Sequence, residues 1–155
     1  MPSETVHRHP VRVYYEDTDA AGIVYYANYL KFVERARTEW LRDLGLDHRT
    51  LEARHGVRFA VRRCVVDYRR PARLDDLLTV ETRVTAARGA RLVLEQRVLR
   101  DGEPLAVVEV TLVALDRDLR PVRIARALPP GFPGGEAHRP LCGNEGTATE
   151  GPSSS

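Results

Sequence analysis

The chain of 155 residues has only two cysteines and no long apolar segment. Cys64 and Cys142 belong to no CxxC pair, and no histidine stands at a spacing that would complete a zinc site. Two isolated thiols are typical of a reducing compartment, so we expect a cytoplasmic protein without a disulfide. Neither a signal peptide nor the roughly 18 consecutive apolar residues of a membrane-spanning helix is present. We therefore expect no secretion and no integral membrane segment.

Lysine is almost absent, because Lys31 is the only one and arginine supplies the other basic residues. The formal net charge is +2, and no block of about five or six like charges marks a nucleic-acid-binding arm. The composition therefore predicts no nucleic-acid partner. Binding of RNA or DNA through scattered arginines is a much weaker alternative.

Histidine is also scarce, and only His7 and His9 stand two residues apart. Two histidines alone do not make a metal site, and no third ligand is placed nearby in the sequence. We expect this pair to be flexible and solvated. The sequence indicates neither a bound metal nor another cofactor.

The end of the chain has few apolar residues. Residues 129–155 contain six of the eleven glycines and five of the ten prolines. Such a segment cannot bury enough apolar surface to offset the entropy of ordering it. We predict one folded domain, residues 1–128, followed by a disordered Pro/Gly/Ser-rich tail, residues 129–155.

A strand and a long helix are predicted around a polar connection in the first third of the chain. The alternation of residues from Val11 to Tyr15 predicts a half-buried strand that ends at Asp17. The following Asp-Thr-Asp-Ala-Ala-Gly is typical of a turn. From Tyr26 to Gly45 the period changes to that of an α-helix of roughly five turns. Its expected buried face consists of Tyr29, Leu30, Val33, Ala36, Trp40, Leu41 and Leu44.

Asp19 lies on this connection, just before the predicted helix N-terminus. The first N–H groups of a helix have no intrahelical partner and can polarise a carbonyl. A carboxylate beside them could attack that carbonyl, or take a proton from a water that does. The alternative is that Asp19 only forms the turn or caps the helix, and the spacing alone does not decide. Asp17 is expected to order the loop.

The second half of the chain predicts four more strands, at about residues 59–69, 77–86, 91–100 and 105–116. A short helical or irregular connector, residues 47–55, precedes them, and the Asp-Gly turn at 101–102 predicts a tight hairpin. The last strand has one wholly apolar face, and its second face, which begins at Leu105, is also rich in apolar residues. That second face suggests contact with another subunit. One long helix and a sheet with an apolar face predict an α+β domain, with an antiparallel sheet wrapped around the helix.

Several motifs are shared with one known family. They are Tyr15-Glu16-Asp17-Thr18-Asp19, Gly22-Ile23-Val24-Tyr25-Tyr26-Ala27-Asn28-Tyr29, Phe32-Val33-Glu34-Arg35-Ala36-Arg37-Thr38-Glu39, Phe59-Ala60-Val61-Arg62-Arg63, Asp67-Tyr68, Pro71-Ala72-Arg73-Leu74-Asp75-Asp76 and Arg88-Gly89. Over roughly residues 10–125 the chain resembles the hotdog-fold acyl-CoA thioesterases of the 4-hydroxybenzoyl-CoA thioesterase type. Within that type it is most similar to the Tol-Pal-associated (YbgC-like) branch.

The resemblance implies a hotdog fold, assembly into homodimers or homotetramers, and hydrolysis of acyl-CoA without metal or redox cofactor. It implies that Asp19, and not Asp17, is the catalytic carboxylate. It also implies that the backbone N–H of Tyr26 donates to the thioester carbonyl. One departure concerns this last position, where the Tol-Pal-associated branch often has histidine. A main-chain donor is unaffected by that difference.

Other residues near Asp19 are candidates for binding the substrate. Tyr25 and Tyr29 either line the acyl pocket or only pack the helix start against the sheet. Coenzyme A carries phosphates, and arginine binds phosphate well. The candidate arginines are Arg69, Arg70, Arg88 and Arg91.

The sequence thus predicts an acyl-CoA thioesterase that uses Asp19 as nucleophile or general base. A second enzyme class, a hydratase or dehydratase of acyl thioesters, normally needs a histidine, and the histidines here stand at the termini or in the connector. The alternative outside catalysis is an acyl-CoA-binding sensor or scaffold protein on the same fold.

Overall fold

Five antiparallel strands and one long helix form the fold in the computed structural model, which describes residues 6–126. The strands are β1 His7–Arg12, β2 Arg58–Tyr68, β3 Leu77–Arg88, β4 Arg91–Arg100 and β5 Glu103–Leu115. The helical segments are α1 Tyr26–Asp43, the short α2 His48–Thr50 with a π-helical turn Leu51–His55, and the 3-10 turns Tyr15–Asp17 and Ile124–Arg126. The predicted tail, the boundary at residue 128 and Cys142 lie outside the described residues.

The strands form a single sheet in the order β1-β3-β4-β5-β2, and each neighbouring pair is antiparallel. The hairpin between β4 and β5 has the two-residue turn that the sequence predicted. Asp101 and Gly102 have φ values of 52° and 81°, the left-handed conformation that a tight hairpin turn requires. β2 lies at one end of the sheet and pairs only with β5 among the described strands.

Helix α1 packs on one face of the sheet, against β1, β3 and β4. Its buried residues are Tyr29, Phe32, Val33, Ala36, Trp40 and Leu41. Most of the predicted stripe is confirmed, but Leu30 and Leu44 are 40% and 39% exposed, and the prediction omitted Phe32. The buried face of the helix therefore includes Phe32 and is rotated away from Leu30 and Leu44, compared with the face that the sequence periodicity predicted. Full burial of a side chain such as Phe32 contributes about 1.5–3 kcal/mol.

A buried polar contact fixes the middle of helix α1 on the sheet. The Gln96 side chain of β4 is fully buried, and its amide donates to the carbonyl of Val33 and to the hydroxyl of Thr82, both at 2.9 Å. Arg37 of the helix donates to the amide oxygen of Gln96, also at 2.9 Å. Unpaired polar groups in a core are costly, so this set of bonds favours one position of the helix along the sheet.

The first strand is not where the sequence placed it. β1 covers His7–Arg12, and Tyr15–Asp17 forms a 3-10 turn instead of continuing the strand. Val13 is buried as expected, but Tyr15 is 82% exposed. The backbone of Val13 bonds to the segment before β3, through Asp76 and Asp75, and this contact redirects the chain.

The expectation that His7 and His9 are flexible is wrong. Both are in β1, opposite Thr82 and Val80 of β3. The Nε2 of His7 lies 2.8 Å from a carboxylate oxygen of Asp43, the last residue of α1. Pairing with β3 therefore orders residues 7–12.

The architecture is the predicted α+β domain. The face of β5 from Ala106 to Ala114 is buried, and the connector at 47–55 is helical, as expected. Leu105 and Val107 on the second face are already buried within the single chain, so their apolar character does not require another subunit. Within residues 6–126 no helix is both long and apolar enough to cross a membrane.

Candidate active site

Asp17 holds the connection between the 3-10 turn and helix α1 in place. Its side chain is 5% exposed and accepts the N–H of Tyr14 at 2.9 Å. Its carbonyl accepts the N–H of Tyr25 at 3.2 Å and the side-chain amide of Asn28 at 2.8 Å. The predicted role of Asp17 in ordering the loop is confirmed, because one residue ties the loop to the start of the helix.

Asp19 is exposed and begins the tight loop of residues 19–23. Its backbone N–H donates to the carbonyl of Ile23 at 2.9 Å. Its Oδ1 accepts the N–H groups of Ala21 at 2.9 Å and of Ile23 at 3.4 Å. Among the described residues no group donates to its Oδ2. One carboxylate oxygen is therefore held by the loop, and the other has no hydrogen-bond donor within residues 6–126.

The loop of residues 116–120 has the same hydrogen bonds. The Oδ1 of Asp116 accepts the N–H groups of Asp118 at 2.8 Å and of Arg120 at 3.0 Å. The backbone N–H of Asp116 donates to the carbonyl of Arg120 at 2.8 Å. The bonds that Asp19 makes are thus those of a turn, and its chemistry depends on what surrounds the loop.

The start of helix α1 follows directly after the loop that Asp19 begins. Tyr25 is the N-cap residue, and the helix begins at Tyr26. The N–H groups of Tyr26 and Ala27 have no intrahelical partner, and no described segment outside the helix bonds to them. These N–H groups also carry the positive end of the helix dipole. They can therefore stabilise an oxyanion or polarise a carbonyl.

A cavity of about 250 Å³, here called the proximal cavity, opens beside this helix start. It is lined by Ile23, Val24, Tyr26, Tyr29, Tyr68, Arg69, Arg70 and Pro71. Three of its eight lining residues are tyrosines that cluster together, since the ring centres of Tyr26 and Tyr68 lie 4.8 Å apart and those of Tyr29 and Tyr68 lie 5.5 Å apart. An apolar wall next to unbonded amides suits an acyl group.

The tyrosine hydroxyls act as neutral hydrogen-bonding groups. Burial raises the pKa of Tyr29, whose hydroxyl oxygen accepts the N–H of Ala72 at 2.8 Å. Burial also raises the pKa of Tyr68, whose hydroxyl donates to the carbonyl of Tyr26 at 3.2 Å. Neither hydroxyl is therefore a base at neutral pH. Tyr29 both packs the helix start, at 2% exposure, and lines the cavity.

The structure brings only part of the predicted substrate-binding set to this place. Arg69 and Arg70 line the proximal cavity, and each forms an ion pair, with Asp67 at 2.9 Å and with Glu103 at 2.8 Å. Tyr25 is 58% exposed at the helix start and is not part of the cavity wall. Arg88 and Arg91 line a different cavity at the β3–β4 hairpin, so a single chain does not bring them to Asp19.

Sequence reasoning missed two residues of the site. Tyr68 comes from the end of β2 and closes the cavity against Tyr26, 42 residues earlier. Asn28 donates to the carbonyl of Asp17. Both stood inside motifs of the family resemblance. Their places in these motifs were the only sign in the sequence that Tyr68 and Asn28 belong to the site, because the helix and strand periodicity does not single out either residue.

Comparison with known proteins agrees with this architecture. Residues 13–135 match the family model of the Thioesterase-like superfamily. The chain is 46% identical over 125 residues to the acyl-CoA thioesterase YbgC of Haemophilus influenzae, with 79% of this chain and 91% of that protein covered. It is 47% identical over 127 residues to the acyl-CoA thioester hydrolase YbgC of Escherichia coli, with 81% and 91% covered.

Solved structures share the fold. A probable thioesterase from Bartonella henselae has a TM-score of 0.72 and 37% identity, with 77% of this chain and 99% of that chain covered. The five-stranded antiparallel sheet around one long helix is thus the hotdog fold, and the resemblance indicated by the motifs is confirmed. By the extent of the family match and the identity to its relatives, this chain belongs to the thioesterase-like superfamily.

Proposed function

We propose that the protein hydrolyses acyl-CoA thioesters to a free acid and coenzyme A, with Asp19 as the catalytic carboxylate. The class, a thioester hydrolase, follows from the family, and two relatives of this chain are named acyl-CoA hydrolases. The residue assignment rests on one observation. Asp17 ties a loop with an open carboxylate oxygen to a helix start with unbonded N–H groups.

The proposed chemistry uses the two sides of this arrangement. The backbone N–H of Tyr26 donates to the thioester carbonyl and stabilises the negative charge that develops on its oxygen. The Oδ2 of Asp19 attacks the carbonyl carbon, or removes a proton from a water that attacks it. The carbon–sulfur bond breaks, and the thiolate of coenzyme A takes up a proton. In the first route the anhydride formed between the acyl group and Asp19 is then hydrolysed by a water, which restores the carboxylate. Either route yields a carboxylic acid and free coenzyme A.

The proximal cavity is the proposed place of the acyl group, with Tyr26, Tyr29 and Tyr68 in its wall. The exposed Tyr25, whose ring centre lies 6.5 Å from that of Tyr26, is a further proposed contact of the substrate. Arg69 and Arg70 are the proposed contacts of the coenzyme A phosphates. Their ion pairs with carboxylates are solvent-exposed, and such pairs contribute roughly 0–1 kcal/mol. A doubly charged phosphate can replace the carboxylate at little cost.

We also propose that the protein works as a homo-oligomer, a dimer or a tetramer, in the cytoplasm. β2 is an 11-residue strand at the end of the sheet, and its Val61 and Tyr68 are 52% and 41% exposed. A long edge strand with apolar side chains favours pairing with another strand. Because Tyr68 also lines the proximal cavity, such a contact would lie at the border of the site.

The decisive experiment is thiol release from a panel of short, long and aromatic acyl-CoA thioesters by the parent protein and by Asp19→Asn. The amide keeps the shape of the side chain and removes the base and nucleophile. We expect turnover to fall about 10²- to 10⁴-fold, with acyl-CoA binding retained. The panel also identifies the acyl class.

The matched control is Asp116→Asn, because Asp116 makes the same turn bonds and lies outside the proximal cavity. This variant should keep the activity of the parent. Equal activity of Asp19→Asn and the parent would disprove the role of Asp19. Saturable acyl-CoA binding by a parent that turns over no thioester would favour the sensor or scaffold function instead.

A further inference from the structure

The segment of residues 71–76, here called the brace, is part of the connection from β2 to β3 and pairs with the loop of residues 19–23. Ile23 and Arg73 form an isolated antiparallel bridge between the two segments. Two backbone hydrogen bonds flank this bridge, from the N–H of Val24 to the carbonyl of Ala72 at 2.8 Å and from the N–H of Leu74 to the carbonyl of Gly22 at 3.3 Å. The brace therefore fixes the end of the loop that leads into helix α1.

The brace also contacts the helix itself and the chain before the loop. The N–H of Ala72, a fully buried residue, donates to the hydroxyl of Tyr29 in the first turn of helix α1, at 2.8 Å. The backbone of Val13 donates to the carbonyl of Asp76 at 2.9 Å and accepts the N–H of Asp75 at 3.0 Å. Six residues thus bond to both parts that the proposed reaction needs, the aspartate loop and the helix start.

The side chain of Asp76 holds the brace together. Its Oδ2 accepts the backbone N–H of Arg73 and a guanidinium N–H of Arg100, both at 2.8 Å. The same nitrogen of Arg100 donates to the carbonyl of Pro71 at 3.3 Å. Because Arg100 is the last residue of β4, the ion pair ties both ends of the brace to the sheet. The two side chains are mostly buried, at 27% and 22% exposure.

The ion pair is charged on both sides at neutral pH. Desolvation raises the pKa of Asp76, but the N–H of Arg73 and the guanidinium of Arg100 outweigh it, and the pKa of the carboxyl lies below its ordinary value. The hydrogen bond to Asp76 in turn raises the pKa of Arg100. The two shifts agree, since each partner favours the charged form of the other.

We propose that Asp76 and Arg100 are positioning residues of the reaction, because their ion pair holds the brace that places the Asp19 carboxylate beside the helix N–H groups. The bonds within the loop of residues 19–23 fix its shape, whereas contacts outside the loop fix its place. The Asn28 side chain supplies one such contact, and the brace supplies the others. The positioning role rests on the proposed function, in which Asp19 is the catalytic carboxylate.

Amide hydrogen exchange, followed by NMR, tests the brace without reference to activity. Asp76→Ala deletes the acceptor of both side-chain bonds, so the N–H of Val24 should exchange at least about tenfold faster than in the parent. Arg100→Gln removes the ion pair from its other side and should have the same effect. Parental exchange at Val24 in both variants would overturn the proposal.

The matched control is Glu52→Ala, which removes a different carboxylate from its ion pair, with Arg58 at 3.2 Å. Glu52 lies in the π-helical turn Leu51–His55, outside the brace and outside the wall of the proximal cavity. Its removal should leave the exchange of Val24 and the activity as they are in the parent.

Steady-state kinetics with an acyl-CoA, well below the melting temperature of each variant, test the effect on the reaction. Asp76→Ala should lower kcat about 10- to 100-fold with little change in KM, since alignment is lost and substrate binding is not. Asp76→Asn keeps a neutral acceptor for the N–H of Arg73 and should recover part of the lost kcat. Parental kcat in Asp76→Ala would overturn the positioning role.

A double-mutant cycle separates positioning from a loss of folded protein. If Asp76 acts through Asp19, Asp76→Ala should change the residual rate of Asp19→Asn little, because the group that the brace places is already absent. A loss of folded protein would lower the rate by the same factor in both backgrounds, and that result would overturn the proposal. A parent protein without any turnover would overturn the proposed function and the positioning role together, whereas parental kcat in Asp76→Ala contradicts the positioning role alone.

Discussion

The loops of residues 19–23 and 116–120 make the same hydrogen bonds in different surroundings. In each loop the Oδ1 of the leading aspartate accepts the N–H groups two and four residues later. The first loop continues into helix α1 and opens beside the proximal cavity, whereas the second returns the chain to β5 through a bridge between Leu115 and Pro121. The comparison teaches that an aspartate turn is only a scaffold. Unbonded helix N–H groups and a cavity partly lined by tyrosines distinguish the candidate site.

The largest expected effect on the difference between the two loops comes from removing the hydrogen bond that joins the first loop to helix α1. Asn28→Ala deletes the 2.8 Å bond to the carbonyl of Asp17 without disturbing the bonds inside the loop. We expect kcat to fall roughly tenfold to hundredfold, because small displacements of reacting groups are costly. Steady-state kinetics with the best acyl-CoA of the panel would measure this loss.

The control for this prediction is Thr18→Val, which removes a 2.8 Å hydrogen bond from the Thr18 hydroxyl to the carbonyl of Tyr15. That bond lies within the 3-10 turn region and does not reach the helix. Its loss should leave kcat close to that of the parent. A parental kcat in Asn28→Ala would mean that the loop and the helix start keep their alignment without this amide.

The fourth residue of each loop allows the two loops to be compared by their contributions to the free energy of unfolding. It has a positive φ in both, 80° at Gly22 and 64° at Leu119. Gly22→Ala should lower the free energy of unfolding by about 1 kcal/mol, because a Cβ disfavours this conformation. Leu119→Gly should instead leave it unchanged or raise it by about 0.5 kcal/mol, since the relief of strain is partly offset by a more flexible unfolded chain. Urea unfolding of both variants measures the two values.

These two substitutions also distinguish steric crowding of a side chain from strain in the backbone. A Cβ at Gly22 would meet nothing within 4 Å, so crowding cannot explain a loss there. Leu119 is 62% exposed, so its side chain contributes little burial. The same sign of change in both variants would contradict the equivalence of the loops.

The smallest expected effect is the contribution of the Asp116 charge to the free energy of unfolding. The N–H of Arg120 lowers the pKa of Asp116, against the effect of desolvation. A lowered folded-state pKa stabilises the protein above the unfolded value of about 3.9, and this stabilisation is lost as the pH falls through the folded value. The parent should therefore be more stable than Asp116→Asn at pH 7, and the difference should disappear in acid. A difference that stayed constant with pH would contradict this assignment.

Much of the fold was predictable because it depends on local periodicity. The helix from Tyr26 and the four later strands appeared close to their predicted places. The Asp101-Gly102 turn followed from two residues that adopt positive φ readily. The first strand was misplaced, because its pairing with β3 and the bonds of Val13 to residues 75 and 76 come from a distant part of the chain.

The candidate site was predictable only in part. Asp19 and Tyr26 were predicted as site residues from a turn followed by a helix and from motifs shared with a family, and their catalytic roles stay a prediction. Arg69 and Arg70 lie at the cavity that includes Tyr26, whereas Arg88 and Arg91 lie at a different cavity beside the β3–β4 hairpin. Sequence spacing could not separate these pairs, because the end of the sheet on which each falls is set by strand order and register.

The sequence by itself determined the helix, the sheet and the aspartate turn, since these follow from neighbouring side chains and backbone preferences. Tertiary structure alone decided that Tyr68 closes the cavity against Tyr26 and that Gln96 and Arg37 hold the helix on the sheet. The physical reason is that a cavity and a buried hydrogen bond join residues far apart in the chain. Their positions follow from the packing of whole elements, which no local pattern encodes.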